Sequence, residues 1–393
     1  MGESGVQGER TESQSISGDL FCMRGFGIAL VVLVHVLGVD DQHGVRKLFI
    51  PGRADLRIAY DFIHSFNMAV MLIAAGVAVS AFGKVNRSLI GFLRKKLDKL
   101  VVPMLIWAPM LLLMQELSAG LPHGVRAWGA LLARVPTAWF PVYAIFWFVH
   151  VLVWCTLLSW IFRRFAAPRL GRWASLVYLG AAIVMHAALV EWVGPTPSVM
   201  GEYVSLVTYW NRFFGLGLFI QPALAGACQV LSRRSAPRQV LVSLGLAAAL
   251  VAVYAGIPDY ELVCVINGPL GFCLLISLSV FLGSRAREGG AVWKALRGRF
   301  ATVGSISMLF YLFHIYFVSG TRLVLEHLSP GMPLAVHLVV GWTMGLLGPW
   351  VIYLLLKDHP LFRWSIGFPS RKTGPESSGE QPRPEPSAVS SGV

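Results

Sequence analysis

The stretch FCMRGFGIALVVLVHVLGVD, residues 21–40, is apolar enough to cross a membrane as one helix, yet it carries Arg24 and His35. About 20 predominantly apolar residues suffice to span the hydrocarbon core. The two ionisable residues are separated so that a helix of 3.6 residues per turn returns them to nearly one face, roughly 20° apart, with a rise of about 16 Å. Each alone has a plain explanation. An arginine near a span end snorkels to the interface, and a buried histidine satisfies itself by hydrogen bonding within the bundle. Both on one stripe favour a shared polar cavity, with the cation near the start of the span and the imidazole deep inside it.

The rest of the chain follows the same solvent. Of 393 residues, 55% are hydrophobic and only 13% charged, too few to cover the surface of a soluble domain. The mean hydropathy is +0.64, which places the chain among polytopic membrane proteins. The net charge of +13 therefore reads as lysine and arginine gathered in cytoplasmic loops, not as a surface for nucleic acid. Cys22, Cys155, Cys228, Cys264 and Cys273 all fall in apolar segments without C-x-x-C spacing. Neither a disulfide framework nor a metal site is indicated. The polar first residues lack the basic-then-apolar order of a signal peptide, and MGESGV is a poor myristoylation match.

Ten segments are long and apolar enough to span: about 21–39, 58–81, 101–117, 142–162, 173–191, 204–231, 239–257, 262–283, 302–322 and 334–356. The region 118–141 leaves room for an interfacial helix. With the N-terminus inside, the cytoplasmic loops hold Lys84, Arg87, Arg94, Lys95, Lys96 and Lys99, then Arg163, Arg164, Arg169 and Arg172. Arg233, Arg234 and Arg238 follow, and after them Arg285, Arg287, Lys294, Arg297 and Arg299. The opposite loops are poorer in cations, and the later ones carry Glu191, Glu202, Asp259, Glu261 and Glu326. That asymmetry predicts an all-α protein with about ten transmembrane helices and both termini cytoplasmic. Residues 1–18 and 366–393 are polar and expected to be disordered, which leaves 19–365 as the membrane domain. No internal repeat of the kind that marks many transporters is evident.

Other polar groups cluster inside spans. In the ninth segment, VGSISMLFYLFHIYFVSG, Ser307, Tyr311 and His314 follow an i, i+4, i+7 stripe and share a face. The plainer reading is a hydrogen bond between helices. The second segment opens with Asp61, His64, Ser65 and Asn67, where Asp61 and His64 are one turn apart and able to pair. Its later run of small residues, Ala74 to Ala81, permits close helix packing. Arg212 in the sixth segment either faces the cavity or snorkels outward. Trp147 and His150 stand in the fourth, where an interfacial aromatic is the plainer account of Trp147. The basic LRKKLDKLVVP, residues 93–103, either anchors the topology on an anionic leaflet or docks a phosphorylated cytosolic ligand, for which lysines serve as compact charges.

Together these stretches resemble the integral-membrane acyltransferase family 3, whose members modify surface glycans and other hydroxylated substrates. Arg24 and His35 match its Arg-x10-His. HSFNMAVMLIAAGVA resembles its F-H-M-P-L-F-F-x-x-S-G stretch, and FLRKKLDKLVVPMLIW its basic turn, with Lys95, Lys96, Lys99 and Pro103 at the matching places. FWFVHVLVW resembles W-F-L-x-x-L, and SISMLFYLFHIYFV its late S-x-x-x-Y-L-x-H segment ending at His314. The chain departs where Asn67 replaces the usual histidine, Ala69 the proline, Ala75-Gly76 the Ser-Gly pair, and lysines the arginines of the turn.

The resemblance implies a membrane-embedded O-acyltransferase. A cytosolic acyl-CoA, acetyl-CoA foremost, gives its acyl group to a hydroxyl of a carbohydrate or similar acceptor, without a metal. It implies that Arg24, Lys95, Lys96 and Lys99 meet the donor's phosphates and that His35 is the general base or a transient acyl acceptor. His314, Tyr311 and Arg212 would orient the acceptor or stabilise charge, with Asp61, His64, Asn67 and Trp147 lining the acceptor's path. The expected place is the cell membrane, the cytoplasmic membrane in a bacterium. Two rivals remain: a proton-coupled transporter or exporter, which buried His and Arg also suit, and a non-catalytic member of the family.

Overall fold

A computed structural model describes residues 3–49, 53–83, 88–119, 124–140, 144–193 and 198–368, with side chains of 3–16, 117–119 and 193 left aside. The tail expected to be disordered lies, from 369 on, outside the described residues. Among those described there are helices and no strand. Ten helices are long and apolar enough to cross a membrane. They are α1 (Glu3–Leu37, its apolar part Ser17–Leu37), α2 (Ala54–Phe82), α3 (Val102–Ala119), α4 (Trp147–Phe165) and α5 (Ala174–Val193), followed by α6 (Val199–Ser232), α7 (Ala236–Gly256), α8 (Tyr260–Arg287), α9 (Ser307–Leu328) and α10 (Leu334–Leu356).

Two segment boundaries differ from those read in the sequence. The basic stretch ahead of α3 is helical, Leu89–Lys96, and passes through a π-helical turn, Leu97–Val101, so the continuous helix begins at Leu89, ahead of the apolar run. The lysines are carried on that helix without breaking it, because lysine favours helix. The segment expected at 302–322 is two helices. Ala291–Ser305 stops at Ile306, whose φ of −107° and ψ of 25° are not helical, and α9 starts at Ser307. The first of these carries Lys294, Arg297 and Arg299 among Val292, Trp293 and Leu296, which is too charged for a span. Between α3 and α4 a short helix, Val125–Ala133, occupies the region with room for one.

α1 is the hub. It packs on α2, α8, α9, α10 and the helix Ala291–Ser305. α1, α2 and α8 are the most inward spans, while α5, α7 and α10 turn most of their surface outward. Lipid tails are as apolar as leucine, so burial alone does not hold helices together in a bilayer; close backbone approach and polar contacts do. Both devices are present. α2 crosses α6 at Gly76 and Gly217, where a Cβ on either would collide with the carbonyl oxygen of Phe214 or Ile73. The small residues of α2 thus serve the close packing expected of them. Polar ties join α2 to α8 (Asn267 Nδ2 to Ser65 Oγ, 3.0 Å), α5 to α6 (Tyr178 Oη to Asn211 Oδ1, 2.9 Å) and α7 to α8 (Ser243 and Ser277 hydroxyls, 2.9 Å). The helix Ala291–Ser305 is clamped on α1 by glycines, Gly304 against Phe21 and Gly25 against Phe300. A buried ion pair closes the same contact, with Arg297 donating to Asp19 at 2.8 Å. This clamp sets where α9 begins, and α9 carries half of the candidate site.

Candidate active site

Arg24 and His35 are each half-buried, although their neighbours Met23, Val34 and Val36 are buried. α9 runs beside α1 and matches the two polar residues in order. At the lower level Arg24 Nη2 donates to the hydroxyl of Ser307. At the upper level the rings of His35 and His314 lie 4.9 Å apart, centroid to centroid, tilted by 51°. Ser307 and His314 of the stripe therefore meet α1, Tyr311 between them meets Phe148 of α4, and all three are buried. The polar stripe of α1 thus meets polar residues of α9 along one seam.

His314 is completely buried. Its Nδ1 lies 2.9 Å from the Phe310 carbonyl oxygen one turn earlier. A carbonyl only accepts, so Nδ1 carries the proton and Nε2 of the neutral ring carries a lone pair. That Nε2 has no hydrogen-bond partner, nor has the buried Tyr311 hydroxyl. Buried polar atoms are nearly always paired, and two orphans in one seam mark a place prepared for something else. An imidazole with its tautomer fixed by a carbonyl is a familiar means of readying a base.

An aromatic wall continues from the pair. Tyr311 lies 6.2 Å from His314 and 5.4 Å from Phe148. Phe148 meets Trp147 edge-on at 6.0 Å, and Trp147 stacks on Trp210 at 5.1 Å. The residue that opens the turn into α4, Ala144, has φ of 46°, a left-handed conformation rare outside glycine. Arg212 closes the far end of the wall. Its guanidinium sits 3.9 Å from the Tyr209 ring centroid and pairs with Glu261 at 3.2 Å, and Tyr209 in turn abuts Trp210 at 4.9 Å. Trp147 therefore belongs to the wall and is half-buried, while Arg212 is joined to the histidines through five rings, Tyr311, Phe148, Trp147, Trp210 and Tyr209.

Other sequence candidates stand elsewhere. Asp61 and His64 do not pair with each other. Asp61 binds Arg57 at 2.5 Å, and His64 stacks on Tyr60 at 5.3 Å and lies 3.4 Å from the Tyr260 hydroxyl. One turn behind Arg57 makes a better partner for Asp61, since arginine is a cation at any pH and histidine is not. Asn67 is buried, with its Oδ1 unpartnered. Lys95 and Lys99 are exposed on the basic helix and π turn, and Lys96 lies over the Phe92 ring at 5.7 Å. π turns recur at functional positions. The segment packs on α3 and α4, not on α1, so the lysines and Arg24 lie on separate helices. Against α3, Trp107 meets Phe313 of α9 at 4.5 Å, which links that side of the bundle to the residue preceding His314.

Two groups escaped the sequence reading. The helix Ala291–Ser305 was hidden because its basic residues resemble a loop. Arg322 and His337, which line a cavity beside the seam, carried the ordinary signal of ionisable residues inside spans but lacked a motif.

The acyltransferase domain of integral-membrane family 3 matches residues 18–354, from the start of the apolar part of α1 to the end of α10. No curated protein and no solved structure matches the chain. The match runs through both helices of the seam and nearly the whole chain, and the chain belongs to the integral-membrane acyltransferase family 3.

Proposed function

We propose that this acyltransferase moves an acyl group, acetyl foremost, from cytosolic acyl-CoA to a hydroxyl of a carbohydrate or similar acceptor, and that the α1–α9 seam is where transfer occurs. The observation that carries the reading is the contact of His35 with His314 at the buried helix crossing. His35 keeps accessible surface and is the imidazole a substrate reaches, whereas His314 is wholly covered.

In this reading His35 takes the proton of the acceptor hydroxyl as its oxygen attacks the thioester carbonyl. The tetrahedral intermediate collapses with loss of the C–S bond, and the imidazolium returns the proton to the leaving thiolate, which departs as free CoA thiol. His314, with its proton held by Phe310, offers a lone pair that favours the charged form of His35 after proton transfer. The free Tyr311 hydroxyl is the candidate donor to the carbonyl oxygen as it becomes an oxyanion. Arg24, held by Ser307 about 16 Å along the helix from His35, serves the anionic part of the donor. The linear pantetheine arm bridges the interval.

The direct test is mass spectrometry of surface glycans and small glycosides from cells with and without the protein. The expected result is an added acyl unit that depends on the protein. Unchanged glycans and glycosides, together with proton-coupled uptake into vesicles lacking acyl-CoA, would overturn the reading in favour of a carrier.

The lysines give a separate prediction. Replacing Lys95, Lys96 and Lys99 together by alanine is expected to raise the KM for acyl-CoA about tenfold, equivalent to a loss of ~1.4 kcal/mol of binding, with kcat little changed. Steady-state kinetics in membranes reads this. An unaltered donor KM leaves the three as topology anchors.

A further inference from the structure

A cavity opens beyond the histidine pair, on the side away from Arg24, lined by Val36, Val45, Val318, Arg322, His337 and Gly341. Val36 follows His35, and Val318 is one turn past His314, so the cavity abuts the seam. Its roof is a built turn. Gly38 and Gly44 hold φ of 95° and 59°, and at Gly38 a Cβ would collide with the His43 backbone. The buried Arg46 is committed to that roof. It donates to the carbonyls of Gly38 at 3.2 Å and Val39 at 2.6 Å and pairs with Asp41 at 3.0 Å.

Arg322 and His337 are not committed in the same way. His337 is only 4% exposed, and its Nδ1 has no hydrogen-bond partner. Phe49 stands edge-on to its ring at 6.1 Å. Arg322 Nη1 is buried and likewise without a hydrogen bond; its nearest carboxylate, Glu326, is 3.8 Å away and 48% exposed. A guanidinium and an imidazole that line one cavity, each with a buried nitrogen lacking a hydrogen bond, suit an oxyanion, which accepts from both. The enclosed part has room for about one water, so one oxygen of an acid group enters it while the rest of the group and its carrier lie outside.

We propose that Arg322 and His337 form an oxyanion subsite that holds a carboxylate or phosphate ester of the acceptor, on the opposite side of the histidine pair from the donor. The assignment rests on the acyl-transfer reading only in naming the ligand the acceptor. It makes an acidic glycan or glycoside, rather than a neutral one, the preferred substrate class. Two features of the geometry support that order. The cavity touches both helices that carry the histidines, and Arg24 and Arg322 bracket the pair from opposite ends.

The experiment measures thermal stabilisation of the full-length protein in nanodiscs, without acyl-CoA, by methyl glucuronide and by methyl glucoside. The expected result is saturable stabilisation by the glucuronide alone. Arg322→Gln should weaken its apparent affinity by about tenfold or more, with His337→Asn and Arg322→Lys intermediate. Discs of phosphatidylcholine alone and discs containing phosphatidylglycerol separate the two sources of oxyanion. Equal responses to the two glycosides, wild-type affinity in Arg322→Gln, or stabilisation by phosphatidylglycerol alone that depends on Arg322 would each overturn the proposal. If Arg322→Gln does not fold, Arg322→Lys carries the comparison, and wild-type affinity there together with wild-type affinity in His337→Asn overturns it. No donor is present, so the two readings fail separately. A lost glucuronide response with intact acyl transfer overturns the subsite alone, and a retained response in a protein that transfers no acyl group overturns the transfer reading alone.

Discussion

His35→Ala is expected to lower kcat for acyl transfer by about 10²–10⁴-fold, the usual contribution of a positioned general base, while the protein still inserts and folds. The side chain makes this separation possible. His35 is half-buried and faces the seam, and among the described residues no hydrogen bond to a neighbouring helix depends on it, so truncation removes chemistry more than structure. His314→Ala should act differently. It empties a fully buried position and releases the Phe310 carbonyl, so some loss of stability accompanies the loss of rate. The informative variant is His314→Asn. Its side-chain amide can still donate toward Phe310 but offers no imidazole lone pair to His35. If His314 positions His35, this variant should lower kcat with the acceptor KM little changed and shift the acid limb of the pH–rate profile. If His314 is only a packing group, stability falls and the pH profile keeps its shape. Radiolabelled transfer in membranes, with expression and melting measured in parallel, reads both. Full activity in His35→Ala would overturn the catalytic assignment.

The second large effect is structural. Gly304→Val should destabilise the protein and silence transfer together. A Cβ at Gly304 falls on the Phe21 carbonyl oxygen and 2.9 Å from the Gly25 nitrogen. These are backbone atoms of α1, and no side chain can rotate away to make room. Overpacking a core costs about 1–3 kcal/mol where side chains adjust; here the helix Ala291–Ser305 must move off α1 instead. That helix leads through Ile306 directly into Ser307, which holds Arg24. Its displacement therefore carries the lower half of the seam with it. Gly298→Ala is the control. The same helix has open space at that position, and alanine favours helix over glycine by roughly 1 kcal/mol, so this variant should be neutral or slightly stabilising. Melting of the purified protein and transfer activity check both. A Gly304→Val protein with wild-type stability would mean that the helix does not rest on α1 as described.

Much of the fold was legible because the bilayer is an undemanding reader of sequence. Apolar length alone located ten spans, and they recur in the same order, though the third helix reaches back to Leu89 and the ninth starts only at Ser307. The stripe of Ser307, Tyr311 and His314 was legible because helical periodicity places i, i+4 and i+7 on one side whatever lies opposite. Arg24 and His35 shared a face for the same reason. The close packing of α2 followed from its small residues. The break at Ile306 was not legible, since basic residues beside a span read equally as a loop or as a helix on the surface. Asp61 and His64 showed the limit of spacing. Two residues a turn apart can pair, but Arg57 and Tyr260 offered better partners and took them.

By itself the sequence determined the solvent of this protein, the number of its long apolar spans, and which residues line each helix face, because hydropathy and helical pitch are local properties. Which face meets which was decided only by the tertiary structure. Nothing local states that α9 lies along α1, that His314 stands 4.9 Å from His35, or that Gly304 lets a later helix settle on the first. Nor could spacing join Arg322, His337 and Val36 around one cavity, since they come from three separate spans. Such contacts depend on how glycines and small side chains let whole helices approach, and that is settled by the packing of all the helices together.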